Sequence, residues 1–264
     1  MNAIEPAALV ARRGHVLVIT LNRPGAMNAV NAEVSTIVGE ALVRAEEDRD
    51  VRAVVLTGAG TRAFSAGADL KAVSRGESLT APGHDDWGFA GFVRHPISKP
   101  TIAAVNGYAL AGGMELVLAS DLAVAGESAT FGLPEVARGL FAAAGGVFRL
   151  PQQIPSKFAM EMIYTGESID ARRALSLGLV NRVVPDSTVL DAALALANKI
   201  ADNAPLAVQA SKRLAMGLTD GVVPSESGAW LHSAQEIALI KTSQDFKEGT
   251  TAFVEKRSPV WRAQ

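Results

Sequence analysis

The chain has 264 residues, 48% hydrophobic and 20% charged, with a formal net charge of −2. That balance is ordinary for a globular protein and gives no electrostatic basis for holding nucleic acid or an anionic membrane. The absence of cysteine excludes disulfides, zinc–thiolate sites and thiol nucleophiles, and length alone favours one or two domains.

The opening residues, Met1-Asn2-Ala3-Ile4-Glu5-Pro6, lack the basic and apolar regions of a signal peptide. Apolar runs elsewhere are broken by Gly, Pro or charge before reaching membrane-spanning length. The expectation is a cytoplasmic protein with no membrane attachment. Ala8 to Leu21 reads as a hairpin turning at Arg13-Gly14, and Asn22-Arg23-Pro24-Gly25 ends it as a loop. Asn31 can cap a helix whose apolar face includes Val34, Ile37, Val38, Ala41, Leu42 and Ala45. Val51 to Thr57 reads as a buried strand. Ala63 to Lys71 follows as a short apolar segment, a glycine turn at Ala66-Gly67-Ala68, and a helix start that Asp69 can cap.

Ala72 to Gly88 is polar and aperiodic, a loop or a set of short helices, and Phe89 to Val93 resumes a helix before Pro96 stops it. Thr101 to Val105 and Leu122 to Ala125 read as strands on either side of a helix carrying Glu115. Ala129 to Gly132 is extended, and Pro134 suits a first helical turn. Strands alternating with helices predict an α/β core with largely parallel pairing. From Gly145-Gly146 onward the spacing is mostly helical: Lys157–Thr165, Ala171–Leu177, Thr188–Ala201, Leu206–Met216, Glu226–Leu239 and Ser243–Glu255.

The stretch richest in chemistry is Asn106-Gly107-Tyr108-Ala109-Leu110-Ala111-Gly112-Gly113-Met114-Glu115. A strand turning through paired glycines into a helix presents free N–H groups where negative charge is favoured. Glu115 lies one turn beyond Gly112, so an anion site and an acid/base group stand side by side. Taken alone, the stretch also fits a plain tight turn with Glu115 on a solvated face.

Several segments in register resemble the crotonase (enoyl-CoA hydratase/isomerase) superfamily. They are Phe64-Ser65-Ala66-Gly67-Ala68-Asp69-Leu70-Lys71, Ala104 to Ala109 with Gly112-Gly113-Met114-Glu115, and Phe131-Gly132-Leu133-Pro134-Glu135. Leu177-Gly178-Leu179-Val180-Asn181 and the tail Ala252-Phe253-Val254-Glu255-Lys256-Arg257 continue the likeness over essentially the whole chain. The resemblance implies a ββα spiral core over residues 1–195, carrying a coenzyme A thioester site. It also implies a helical region over residues 196–264 that completes the site and packs subunits into trimers or paired trimers. It implies acyl-CoA substrates and no metal or other cofactor, coenzyme A being part of the substrate.

Residue by residue, the resemblance makes the amides of Ala68 and Gly112 an oxyanion hole for a thioester enolate. Glu115 and Glu135 match the two hydratase glutamates, Glu115 to hold and activate water and Glu135 to deliver the α-proton. Ala66, Lys71 and Lys256 match positions that approach coenzyme A, Lys256 from a neighbouring subunit; ordinary turn geometry or solvated charge also accounts for each. The expected activity is reversible hydration of a 2-trans-enoyl-CoA. Carnitinyl-CoA dehydration and enoyl-CoA isomerisation are alternatives on the same scaffold, and a non-catalytic RNA-binding homologue is a third. Ser65 lacks a His/Asp partner in its motif, and the four histidines show no metal-ligand spacing. Trp87 reads as a loop aromatic, over the acyl chain or exposed, whereas Trp230 and Trp261 read as packing in the helical tail. The chain departs from the family at Ala111, where relatives often have a third glycine, at Leu133, and at Phe141 to Ala144.

Overall fold

The hairpin expected near the N-terminus forms in the computed structural model, which describes residues 5–264. Strands β1 (Ala8–Arg13) and β2 (Val16–Leu21) pair antiparallel, Arg13 opposite Val16. Helix α1 (Ala32–Glu47) begins where the Asn31 side chain accepts the Val34 N–H, and Val34, Val38, Ala41, Leu42 and Ala45 form its buried stripe.

Next come β3 (Ala53–Gly58), β4 (Ala63–Ser65), α2 (Leu70–Ser74), β5 (Thr101–Val105), β6 (Tyr108–Leu110) and α3 (Gly112–Ala119). Strands β7 (Leu122–Gly126) and β8 (Thr130–Gly132) lead into a 3-10 turn at Pro134–Arg138. The remainder holds α4 (Gly146–Gln153), α5 (Ser156–Thr165), β9 (Ile169–Asp170), α6 (Ala171–Leu177), β10 (Arg182–Val184) and α7 (Val189–Ala201). Helices α8 (Pro205–Met216), α9 (Ser227–Ile240) and α10 (Gln244–Glu255) end it. No helix among the described residues is long and apolar enough to cross a membrane.

The strands form two sheets. The larger runs β1-β2-β3-β5-β7-β10 and is parallel from β2 onward; the smaller runs β4-β6-β8-β9 and is parallel as far as β8. The chain therefore alternates between sheets. It passes from β3 to β4, β5 to β6 and β7 to β8, with a helix or helical turn closing each circuit. This is the ββα spiral that the resemblance implies.

Burial explains the sequence pattern. One face of the large sheet packs on α1 and the small sheet through Ile19, Leu21, Val54, Leu56 and Ala103. The other face, with Val16, Val18, Val55, Ile102 and Val124, lies under Val189, Ala193 and Ala197 of α7. Strands covered on both faces read as unbroken apolar runs, as in Val51 to Thr57.

Three strands do not stand out in the sequence: β6, β9 and β10, of two or three residues each. Two expectations change. Phe89 to Val93 does not resume a helix; a single 3-10 turn forms at Phe89–Gly91, broken by the left-handed Ala90 at φ 59°. Trp87 is a buried anchor rather than an exposed loop aromatic. Its ring fills the space beside Gly39 of α1 and stacks between His84 and His95.

Candidate active site

Ladder register fixes the site. Ser65 of β4 pairs with Ala109 of β6, and Ala109 pairs with Phe131 of β8. Three residues beyond Ser65 and Ala109 stand Ala68 and Gly112; four beyond Phe131 stands Glu135. All therefore leave the carboxyl ends of adjacent parallel strands, the edge where α/β sheets collect ligands.

The first of these loops is fastened along its backbone. Ala66 N–H donates to Met27 O at 3.0 Å, Val30 N–H to Gly67 O at 2.8 Å, and Asp69 N–H to Val30 O at 2.9 Å. The amide between the last two, that of Ala68, has no acceptor among the described residues. Ser65 is a brace: its buried hydroxyl donates to Asn28 O at 2.9 Å and accepts the Gly67 N–H at 3.2 Å. Asp69 caps α2 by accepting the Lys71 and Ala72 amides and pairs with Arg23 at 2.7 Å. Burial pushes its carboxyl up, but Arg23 and the two amides outweigh that and hold it below the ordinary value.

The second loop turns at Ala111, with φ 53° and ψ −128°, the geometry of the first central residue of a type II′ turn. Its own N–H donates to Gly132 O at 2.9 Å. Gly112 opens α3, so its amide has no acceptor within the helix, nor any other among the described residues. The two loops touch. A Cβ on Gly67 would lie 2.8 Å from the Gly112 nitrogen and 3.0 Å from the Ala111 methyl. The Phe89 ring lies against Gly112, whose Cβ would fall 2.5 Å from Cε1 of that ring.

Two carboxyl groups complete the arrangement. Glu115, one turn into α3, is 4% exposed, and its Oε1 accepts the Gly146 N–H at 2.9 Å. A Cβ on Gly146 would lie 2.6 Å from the Ala142 methyl and 3.1 Å from that oxygen and from Cδ1 of buried Leu133, so a larger residue would force its neighbours to shift. Glu135 sits in the first turn of the 3-10 segment behind Pro134. The residue keeps some exposed surface, yet its Oε2 is sealed from solvent with no hydrogen-bond partner.

Burial raises the pKa of both. For Glu115 the amides of Gly146 and Ala144 and the charge of Arg149 pull back against it. For Glu135 the neighbouring Glu115 charge pushes further in the same direction. Two carboxyls that repel and share an apolar setting hold a proton between them near neutral pH.

Ala66 belongs to the first loop through its Met27 contact. Lys71 is exposed on α2, and Lys256 is exposed just past α10 in the left-handed region at φ 55°. Helix α10 packs on the Glu135 turn of its own chain, where a Cβ on Gly249 would be 2.3 Å from Arg138 O and Arg138 lies over the Phe253 ring at 4.5 Å. The contributions of the Gly146 amide and of Phe89 carry no signal in the sequence. Both depend on segments distant in the chain meeting the α3 turn.

Comparison with known proteins identifies the family. A family model described as enoyl-CoA hydratase/isomerase matches residues 11–264. A carnitinyl-CoA dehydratase of Salmonella paratyphi A is 42% identical over 262 residues, covering 97% of this chain and 98% of that protein. Among solved structures, a carnitinyl-CoA hydratase from Mycobacterium avium is 59% identical with a TM-score of 0.98, over 99% of this chain and 100% of its own. An enoyl-CoA hydratase from Mycobacterium tuberculosis H37Rv is 46% identical with a TM-score of 0.76, over 98% of this chain and 100% of its own. The chain belongs to the crotonase (enoyl-CoA hydratase/isomerase) superfamily.

Proposed function

We propose that this chain is a lyase that reversibly hydrates a 2-trans-enoyl-CoA to the 3-hydroxyacyl-CoA. The observation that carries the reading is the pair of buried carboxyls, Glu115 and Glu135, beside two backbone amides without acceptors. The amides of Ala68 and Gly112 receive the thioester oxygen and hold the charge that develops there. One such donor is worth roughly 3 kcal/mol in other oxyanion holes.

Glu115, oriented by the Gly146 amide, takes a proton from water as its oxygen bonds to Cβ. Glu135 gives its proton to Cα as the enolate collapses. A raised pKa suits that donor, since it keeps the acid protonated near neutral pH. Exchange of one proton between the two carboxyls restores the starting state.

Coenzyme A is read as lying along Ala66, with Lys71 and Lys256 toward its phosphates. The chain is also read as working in a homotrimer or a dimer of trimers, with no further cofactor. Large exposed apolar side chains on the last helices, Leu206, Leu214, Leu231 and Leu239, support subunit packing.

Glu115→Gln and Glu135→Gln are each expected to lower turnover by about 10²–10⁴-fold while acyl-CoA binding persists. Near-normal turnover in either variant rejects the two-carboxylate reading. The similarity to carnitinyl-CoA dehydratases favours a second reading in which the acyl group is carnitinyl. Parallel assays with crotonyl-CoA and crotonobetainyl-CoA separate the two. Product analysis in isotopically labelled water separates hydration from isomerisation, because only hydration retains the label at Cβ.

A further inference from the structure

One charged cluster beside the carboxyl pair has no part in the chemistry above. Arg149 stands in α4, three residues after the Gly146 amide that holds Glu115. Its guanidinium makes a two-point contact with Glu226, Nε to Oε1 at 2.8 Å and Nη2 to Oε2 at 2.7 Å. Nη2 also donates to Val93 O at 2.9 Å. Both side chains are largely buried, with 11% and 14% of their surface exposed. Trp230 covers the pair: its ring centroid is 5.3 Å from the Arg149 Cζ, and its Nε1–H donates to Glu226 Oε2 at 3.1 Å.

This one guanidinium therefore joins three parts of the chain. Helix α4 is the first, beginning at the Gly146 contact to Glu115. The second is the segment from Phe89 to Val93, whose Phe89 ring lies against Gly112. The third is Glu226, immediately before α9. The remaining nitrogen, Nη1, is buried without a partner among the described residues. It lies 3.3 Å from where a Cβ on Gly145 would stand, one residue from the amide that binds Glu115.

We infer that Arg149 is a positioning residue for Glu115: its ties to Glu226 and Val93 seat the Gly145-Gly146 turn so that docking of the C-terminal helices sets the carboxyl's hydrogen bond and charge environment. Geometry carries the inference, because a bidentate arginine–carboxylate contact fixes orientation as well as distance. Electrostatics agree, since the Arg149 charge opposes the upward push of burial on Glu115. The other charged groups facing this cluster are Glu135 from the 3-10 turn, Glu226 before α9, and Arg94, whose Cζ is 5.0 Å from the Trp230 ring. The importance of Glu115 in turnover rests on the hydratase reading; its positioning by Arg149 does not.

The test uses the full chain, glutamate labelled with ¹³C at the carboxyl carbon, and variants Arg149→Gln, Arg149→Lys and Glu226→Gln. The Glu115 resonance is identified by its loss in Glu115→Gln, and each variant's titration is followed by NMR alongside its melting temperature. Arg149→Gln removes the positive charge, so the Glu115 titration is expected to move to higher pH. Glu226→Gln frees the Arg149 charge from its counterion, so the titration is expected to move to lower pH. Arg149→Lys keeps the charge but not the two-point contact, so its titration is expected to stay nearer wild type than that of Arg149→Gln while kcat still falls.

Both Gln variants loosen the turn, and kcat is expected to fall by roughly tenfold to a hundredfold with little change in KM. A purely structural ion pair would lower the melting temperature of both and leave the titration in place, which overturns the inference. Displacement of both titrations in the same direction also overturns it. If Arg149→Gln fails to fold, Glu226→Gln decides alone: a downward displacement supports the inference and an unmoved titration rejects it. A wild type that turns over no enoyl-CoA rejects the hydratase reading, while the titrations still decide this one.

Discussion

The carbonyl oxygen of Ser65 occupies the space that a side chain on Gly113 would need: a Cβ there would lie 2.0 Å from it. At Gly112, the residue before it, an added Cβ would instead meet the Phe89 ring, 2.5 Å from Cε1. The two glycines of one turn are thus required by unlike neighbours. Backbone cannot retreat, whereas an aromatic ring can pivot. Gly113→Ala is expected to cost at least the upper end of the roughly 1–3 kcal/mol typical of overpacking. Gly112→Ala is expected to cost less stability but to lower kcat by displacing the ring or the amide. Denaturant melts rank the two, and recovery of activity in Gly112→Ala combined with Phe89→Leu shows that the ring is the obstacle.

Ala111 holds a conformation that favours glycine, at φ 53° and ψ −128°. Such strain costs on the order of 1–3 kcal/mol. Replacement by glycine relieves it but loosens the unfolded chain, which takes back roughly 0.4–1 kcal/mol. Ala111→Gly is therefore expected to stabilise the protein by about 1 kcal/mol, seen as a higher melting temperature. The methyl touches the Gly67 position on the other loop. Its removal is also expected to change KM for bulky acyl-CoA esters more than for crotonyl-CoA.

The carboxyl pair makes stability depend on pH in a fixed direction. Both groups have folded-state pKa values raised above the ordinary 4.5 by burial, Glu135 further by Glu115. The stability gained from holding those protons is complete below 4.5 and is lost as pH rises through the folded values. Glu135→Gln removes one titrating group and the need to bury its charge. The difference in melting temperature, variant minus wild type, is expected to grow more positive from pH 5 to pH 9. A constant difference would show that Glu135 pays no such cost.

Much of this could be read from the residues. Asn31 and Asp69 cap the helices expected of them, because a cap is a local contact with its own sequence signature. The long double-covered strands showed as apolar runs for the same reason. Strand β6 was illegible because three residues, Tyr108–Leu110, gain their conformation only by lying between β4 and β8. Glu115 and Glu135 were visible as candidates through motif register. The apolar setting of Glu135 showed in Leu133-Pro134 before it, but the sealed environment of Glu115 did not, since it comes from Gly146, Ala142 and Leu133 meeting across loops. The partners of Arg149 lie 56 residues before it and 77 after it, and no local pattern reports such a contact.

The pairing of Ser65 with Ala109 has a consequence for how the family's chemistry persists. Ala68 and Gly112 stand three residues beyond those partners, so the two proposed donors leave adjacent strands, which lie about 4.8 Å apart, just past a register shift between Ala63 and Ser65. That spacing is a property of peptide hydrogen bonding and is indifferent to side chains. Acyl-pocket residues can be exchanged freely without resizing the seat for the thioester oxygen. A slip of β4 against β6 would do so, and such a slip would move Phe64 from its buried place.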